Sequence, residues 1–237
     1  MDGEIAKQLH RFLEQQGIDF RLRTRVKAVE ESEAGLRLAL ESASGEAAAS
    51  LDADVVLVAV GRRPVTATLG LEAIGLELDE KGRVPVGKSF ETAVNGVYAV
   101  GDVIAGPMLA HKSTLDGVRC VEGLAGRYAG VDYARVPSVI YTSPEVATIG
   151  RTEEELKAAN IAYRRGTFPF AANSRARCNG DVRGMVKMLA DARTDAILGV
   201  HIIGPDAGTL ISEAVLAIDF GGSSEDVELV QYPCNPP

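Results

Sequence analysis

Apolar residues Ile5, Leu9, Phe12 and Leu13 recur at helical spacing between residues 4 and 16, which predicts an amphipathic helix. Gly17 stands where helices commonly close on a glycine. Short strand-like runs follow at residues 18–22 and 26–30. Residues 36–41 alternate apolar and polar positions, as a half-buried strand does. Ser42, Ser44 and Gly45 read as a turn. Asp54-Val55-Val56-Leu57-Val58-Ala59-Val60 is nearly all apolar and β-branched, the composition of a strand covered on both faces. It stops at Gly61-Arg62-Arg63-Pro64.

Residues 65–95 look loop-rich, with Gly75, Gly82 and Gly87 between short apolar pieces. Gly96-Val97-Tyr98-Ala99-Val100 is expected to be a second buried strand, broken at Gly101-Asp102, before a helical pattern over residues 108–128. The character changes after Val136-Pro137. Short strands are expected at 139–142 and 146–149. Thr152 with Glu155 three positions on is a capping box opening a helix to about Ala159. Residues 182–191 and 196–203 read as antiparallel strands. A helix from Gly208 carries Leu210, Ile211, Ala214, Val215 and Ile218 on one face and ends at Gly221-Gly222. This change of pattern puts a domain boundary near residue 133.

The chain has 237 residues, 46% of them hydrophobic, with a mean hydropathy of +0.05. That is ordinary globular composition, one large domain or two at roughly 100–200 residues each. Twenty-five basic against 33 acidic residues give a formal net charge of −8, with the two signs interspersed. This argues against nucleic acid as a partner. No stretch approaches the ~18 apolar residues of a membrane span, and the N-terminal residues lack a signal-peptide core. A cytoplasmic location is the resulting expectation. Cys120, Cys178 and Cys234 are far apart and form no CxxC or CxxxxC pair, so they read as free thiols. The three histidines and three cysteines show no metal-ligand spacing.

Two apolar runs end in glycine: Val58-Ala59-Val60-Gly61 and Val97-Tyr98-Ala99-Val100-Gly101-Asp102. In open α/β sheets ligands sit outside the carboxyl ends of strands. A glycine there admits a ligand close to the backbone, and an aspartate can accept a hydrogen bond from a ribose or ribityl hydroxyl. By itself the pattern also suits a tight turn with Asp102 as a helix cap.

The flanking residues narrow that choice. Residues 90–103, with Pro107-Met108-Leu109-Ala110-His111-Lys112 after them, resemble the second flavin-binding motif of the pyridine-nucleotide disulfide oxidoreductases, and its dihydrolipoamide dehydrogenase branch in particular. Gly61-Arg62-Arg63-Pro64 resembles that family's junction between its NAD and FAD domains. Residues 136–145, 180–187 and 198–204 resemble its C-terminal dimerisation domain. The resemblance implies an α/β and α+β fold: the C-terminal part of an NAD-binding Rossmann-like domain (1–64), a returning segment of an FAD-binding one (65–133), and an α+β dimerisation domain (134–237) altered after about residue 226. It implies that Asp102, Met108, Leu109, Ala110 and His111 face FAD, with a helix N-terminus near the flavin pyrimidine edge, and that Val26 and Gly61 line the NAD site. It further implies a homodimer that serves a lipoamide-bearing acyltransferase complex.

The chain also departs from the family pattern. It carries neither of the family's GxGxxG motifs and no redox CxxxxC, so it is expected to be a C-terminal half. Ser113-Thr114-Leu115 stands where small and acidic residues are usual. The family's His-Pro-x-x-x-x-Glu motif is replaced by Val227-Glu228-Leu229-Val230-Gln231-Tyr232-Pro233-Cys234-Asn235-Pro236-Pro237, whose three prolines cannot propagate a helix. No catalytic residue is therefore expected in this chain. His201, inside a strand, reads as structural. The competing readings are a non-catalytic dimerisation module and another flavin disulfide reductase of glutathione or mercuric reductase type.

Overall fold

The structure is a computed structural model, and it describes residues 1–32, 35–45, 49–127 and 130–230. The expectations for Tyr128 and for the proline-rich tail with Cys234 lie outside the described residues. The chain forms two compact units, residues 14–62 and residues 1–13 with 63–237. Their border falls inside the Gly61-Arg62-Arg63-Pro64 stretch.

The smaller unit is a three-stranded antiparallel sheet in the order β1 (Thr24–Ser32), β2 (Gly35–Ser42) and β3 (Leu51–Ala53). A bulge interrupts β1 between Val26 and Ala28. Leu38 and Leu40 of β2 are its buried residues, as the alternation of residues 36–41 predicts. Two expected strands are absent. Residues 18–22 are irregular and turn. Residues 54–60 follow β3 without joining a ladder, and Val55, Leu57, Val58 and Val60 are 74–93% exposed. A run of this composition forms a covered strand only between two neighbours and two packed layers. Among the described residues of this unit, the ladder stops at Ala53.

The larger unit contains a five-stranded, wholly antiparallel sheet. Its order is β4 (Ser138–Ile140), β5 (Glu145–Gly150), β8 (Ile197–Gly204), β7 (Met185–Asp191) and β6 (Tyr163–Pro169). The period-2 alternation of its strands gives it two apolar faces. Ala147, Ile149, Val200 and Ile202 meet Ala207, Ile211, Val215 and Ile218 of the helix α5 (Ala207–Asp219). Val146, Met185 and Ile203 meet Ile5, Leu9 and Phe12 of the helix α1 (Gly3–Gln15), the face that the sequence periodicity picks out. Gly17 takes φ 88 just beyond α1, a conformation that favours glycine. The capping box of Thr152 and Glu155 opens the helix α3 (Glu153–Ala158) as expected. Short helices α4 (Ser174–Cys178) and α6 (Ser224–Leu229) complete this part.

The α1 face of the sheet carries a polar row within its apolar floor. Lys187, His201 and Thr148 pair across β7, β8 and β5. Lys187 and His201 are buried. The Lys187 ammonium donates to both carboxylate oxygens of Asp2, at 3.0 and 2.9 Å, and to Glu153 at 2.5 Å, and it pairs with Glu4 at 3.2 Å. Burial works against its charge, but the bonds it donates to Glu153 and Asp2 outweigh burial and raise its pKa. Hydrogen bonds from Lys157, Lys187 and Tyr163 hold the Glu153 carboxyl down to about 2. His201 donates from Nε2 to the Arg151 carbonyl at 3.1 Å, and burial pushes its pKa down, against the pull of Asp2.

Residues 65–133 form a second, loop-built core of Leu76, Val84, Phe90, Ile104 and Cys120. The strand expected at residues 96–100 is not regular. The segment is half-buried, with one isolated bridge between Glu91 and Tyr98. Backbone bonds from Val84 to Val103, Thr92 to Val97 and Ala99 to Phe90 hold it. The helix expected over 108–128 is α2 (Ala110–Leu124).

Replacing Lys187 with Met leaves Asp2 and Glu153 without their shared cation. The expected loss of stability is about 3–5 kcal/mol, read by urea unfolding of the chain. His201 gives stability a pH dependence. The unfolded chain takes up the proton near the ordinary value of 6.5, whereas the folded chain resists it. Stability is therefore expected to fall as the pH drops below 6.5, and His201→Gln should flatten that slope in unfolding curves collected between pH 7 and 5.

Candidate functional site: the Gly101–Asp102 turn

The residues singled out at Asp102 and 108–111 all stand in the larger unit, around the start of α2. Val100 is extended. Gly101 then takes φ 79 and opens a single 3-10 turn, Gly101–Val103. A Cβ on Gly101 would lie 3.2 Å from Ser113 Oγ and 3.3 Å from Ser113 Cβ, so both the backbone angle and the space favour glycine. The turn presents Asp102 half-buried, its carboxylate accepting a bond from Ser113 Oγ at 3.1 Å. A bond from the Leu109 amide to the Pro107 carbonyl turns the chain at Met108, and Leu109 then leads into α2 in extended backbone. Leu109 is the N-cap and supplies no side-chain cap, and the first turn holds no acidic residue. The Asp102 carboxylate, bonded to Ser113 in the first turn, is the negative side chain that stands at this positive helix end. His111 is exposed and donates from Nε2 to the Pro137 carbonyl at 2.8 Å.

Beneath this surface lies a buried polar group that the sequence reading did not pick out. Lys112, Asp116 and Cys120 are the buried residues of α2. Lys112 and Asp116 form an ion pair of 2.8 Å with both side chains fully buried. Asp116 also accepts the Gly101 amide at 3.0 Å and the Tyr133 hydroxyl at 3.0 Å. Burial pushes the Tyr133 hydroxyl pKa up, with Asp116 adding to it. The signal was present in the sequence: three residues four apart on one helical face, two of them of opposite charge. Burial also raises the pKa of the Cys120 thiol, which makes it a core residue rather than a nucleophile. Cys178 is exposed on α4.

Val26 and Gly61 stand in the smaller unit. Val26 is 51% exposed on β1 at the bulge, paired with Leu40. Gly61 has φ 119, and no atom lies within 4 Å of where its Cβ would be. It is exposed at the end of the unpaired 54–60 run.

Residues 1–117 match the family model described as pyridine nucleotide-disulphide oxidoreductase, and residues 136–234 match the dimerisation domain of the same family. The chain belongs to the pyridine nucleotide-disulphide oxidoreductases. Among its curated relatives, "Dihydrolipoyl dehydrogenase 2, mitochondrial" of Arabidopsis thaliana is 56% identical over 230 residues. "Dihydrolipoyl dehydrogenase, mitochondrial" of Sus scrofa is 52% identical over 231. Each alignment covers 97% of this chain and 45% of the relative, so the chain spans under half the length of the curated relatives it matches. Among solved structures, LpdA of Mycobacterium tuberculosis superposes with a TM-score of 0.88 at 24% identity, over 98% of this chain and 50% of that one, a likeness of fold. The HOCl-induced flavoprotein disulfide reductase RclA of Escherichia coli superposes with a TM-score of 0.86 at 27% identity, over 98% of this chain and 52% of that one.

FAD and NAD are the cofactors of this pyridine nucleotide-disulphide oxidoreductase family, as the sequence led us to expect, and the fold is the mixed helix-and-sheet one implied by the resemblance. The cytoplasmic location expected from the sequence is overturned, because the curated relatives are mitochondrial proteins. A globular composition is common to both compartments and does not distinguish them.

The strain avoided at the turn is measurable. Gly101→Ala is expected to cost about 1–2 kcal/mol from the left-handed backbone alone, read by chemical unfolding, with further loss if Ser113 cannot move aside.

Proposed function

We propose that this chain is the part of a dihydrolipoyl dehydrogenase that completes the cofactor sites and carries the subunit interface. The observation that carries the reading is the 51–56% identity to dihydrolipoyl dehydrogenases along 97% of the chain. The more distant flavoprotein disulfide reductase RclA stands at 27%, which favours the lipoamide branch over a glutathione or mercuric reductase type.

The residues present fit a flavin. Asp102 offers a half-buried carboxylate as acceptor for a ribityl hydroxyl, and the start of α2 with Met108, Leu109, Ala110 and His111 would face an electron-rich ring edge, the Leu109 amide itself donating to the Pro107 carbonyl. Bound there, the flavin would relay electrons from dihydrolipoamide-derived thiols to NAD⁺. The tether from His111 to Pro137 would keep the start of the helix against the segment leading into the dimerisation domain. Val26 and Gly61 would line the NAD site, where exposure and the lack of a Cβ leave room for a nucleotide. The functional divisions would be 1–64, 65–133 and 134–237. The last would pair two copies into a homodimer, and the intact enzyme would serve a lipoamide-bearing acyltransferase complex.

The redox step itself needs a thiol pair, and the acid–base step needs a histidine held by a carboxylate. The sequence has no CxxxxC and no His-Pro-x-x-x-x-Glu. The 237-residue chain is therefore a cofactor-contacting and dimer-forming piece without a turnover step of its own. A second reading, a non-catalytic dimerisation module, draws on the five-stranded antiparallel sheet and the dimerisation-domain match over residues 136–234.

Purified alone, the chain is expected to be colourless and to yield no NADH above a buffer blank when given dihydrolipoamide and NAD⁺. Absorbance spectra and a 340 nm assay check both. Stoichiometric flavin or steady turnover would count against this assignment.

A further inference from the structure

We infer that Lys112, Asp116 and Tyr133 are positioning residues that lock the Gly101–Asp102 turn into its flavin-facing shape before any flavin arrives. The inference deepens the flavin reading proposed above and rests on it.

Both backbone polar groups of Gly101 are met by buried charges. Its amide donates to Asp116 Oδ2 at 3.0 Å, and its carbonyl accepts from Lys112 Nζ at 3.0 Å, with the Ile104 amide adding a bond at 3.3 Å. A glycine at φ 79 cannot satisfy these groups in a strand ladder, and leaving them bare in a core would be costly. The carboxylate and ammonium, 2.8 Å apart, neutralise each other. Tyr133 takes the remaining carboxylate oxygen at 3.0 Å, and its ring lies 4.9 Å from the Lys112 nitrogen, within cation–π reach. Gly106 at φ 124 lets the chain pass close to this group, since a Cβ there would lie 3.0 Å from the Tyr133 ring and 3.1 Å from Lys112 Cε.

Asp102 is the next residue after the clamped peptide, and Ser113, next to Lys112, bonds its carboxylate. The clamp therefore fixes the direction in which Asp102 points. A buried ion pair contributes little net stability compared with apolar side chains of similar volume, so stability alone does not explain this one. Its hydrogen bonds to the backbone of a single residue do. Tyr133 follows the family's redox match and precedes its dimerisation match, so the clamp also ties the turn to the connection between the two parts.

Hydrogen exchange by NMR on the full chain tests the clamp, with a parallel titration by excess FAD to detect weak binding. In Lys112→Met/Asp116→Leu, which leaves no lone buried charge, the Gly101 amide is expected to exchange about tenfold faster or more. Amides of β5 and β8 should keep their native rates, and the FAD-induced shifts at Asp102 and at residues 109–112 should be lost. Tyr133→Phe, which removes one bond and keeps the ring, should lie between the native and double-variant values. An unchanged Gly101 rate, or the same acceleration throughout the sheet, overturns the clamp. Faster exchange at Gly101 with undiminished FAD shifts overturns its role toward the flavin. A native chain whose resonances do not respond to FAD overturns the flavin reading itself, and the exchange rates still decide whether the turn is clamped.

Discussion

The Lys187 ammonium is the interaction on which the larger unit depends. It lies on the α1 face of the sheet and gathers Asp2 and Glu4 from the start of α1, and Glu153 from the start of α3. Asp2 also accepts amides from Glu4, Ile5 and Glu153, so it caps two helix starts at once. One buried cation thus sets where two helices begin relative to one strand. Ile5, Leu9 and Phe12 then bury the apolar part of the same face. The hydrophobic contact supplies non-directional stabilisation, whereas the charges fix the position. Residues 1–117 fall in the redox match and residues 136–234 in the dimerisation match, so this bond joins the two parts of the family pattern.

The Gly101 turn repeats this arrangement at smaller scale. In each place a buried lysine bridges a carboxylate and an element the chain cannot otherwise hold: a helix start at Lys187, a glycine peptide at Lys112. In each place the carboxylate is also satisfied by further donors, as a buried anion requires. The two lysines differ in reach. The partners of Lys187 come from 34 to 185 residues away, whereas Asp116 is one helical turn from Lys112. The first pair links distant segments, and the second stiffens one turn.

These distances explain what the sequence disclosed. The apolar face of α1, the capping box of α3, β7, β8 and α5 depend on neighbours within one element, and periodicity revealed them. β6 did not show, because it is an edge strand whose residues Tyr163–Pro169 are mostly exposed and so need no apolar alternation. The Lys187 cluster could not be read locally, since lysine in Met185-Val186-Lys187-Met188-Leu189 gives no sign of a partner at position 2. Asp102 and the start of α2 came from a resemblance of motifs, not from periodicity. Asp116 was missed although its spacing from Lys112 and Cys120 was visible, because a charge on an apolar helix face is usually solvated.

The unpaired run at residues 54–60 shows the limit of reading strands from composition. The sheet of β4 to β8 forms because all five of its strands are supplied by residues 138–204, so each finds its ladder partner within that stretch. A strand of a parallel sheet is different. Its neighbours are brought in by crossover connections, and its apolar composition records burial by layers far away in sequence. Val55, Leu57, Val58 and Val60 carry that record while β3 ends at Ala53 and the exposed run continues to Gly61. Composition states what environment a strand suits, whereas the ladder depends on which segments are there to pair with it. The same distinction separates the two halves of the chain. The antiparallel sheet finds its ladder partners within residues 138–204 and packs against α5 on one face and α1 on the other. The half that resembles a doubly wound domain presents, at residues 54–60, apolar side chains with no ladder partner among the described residues.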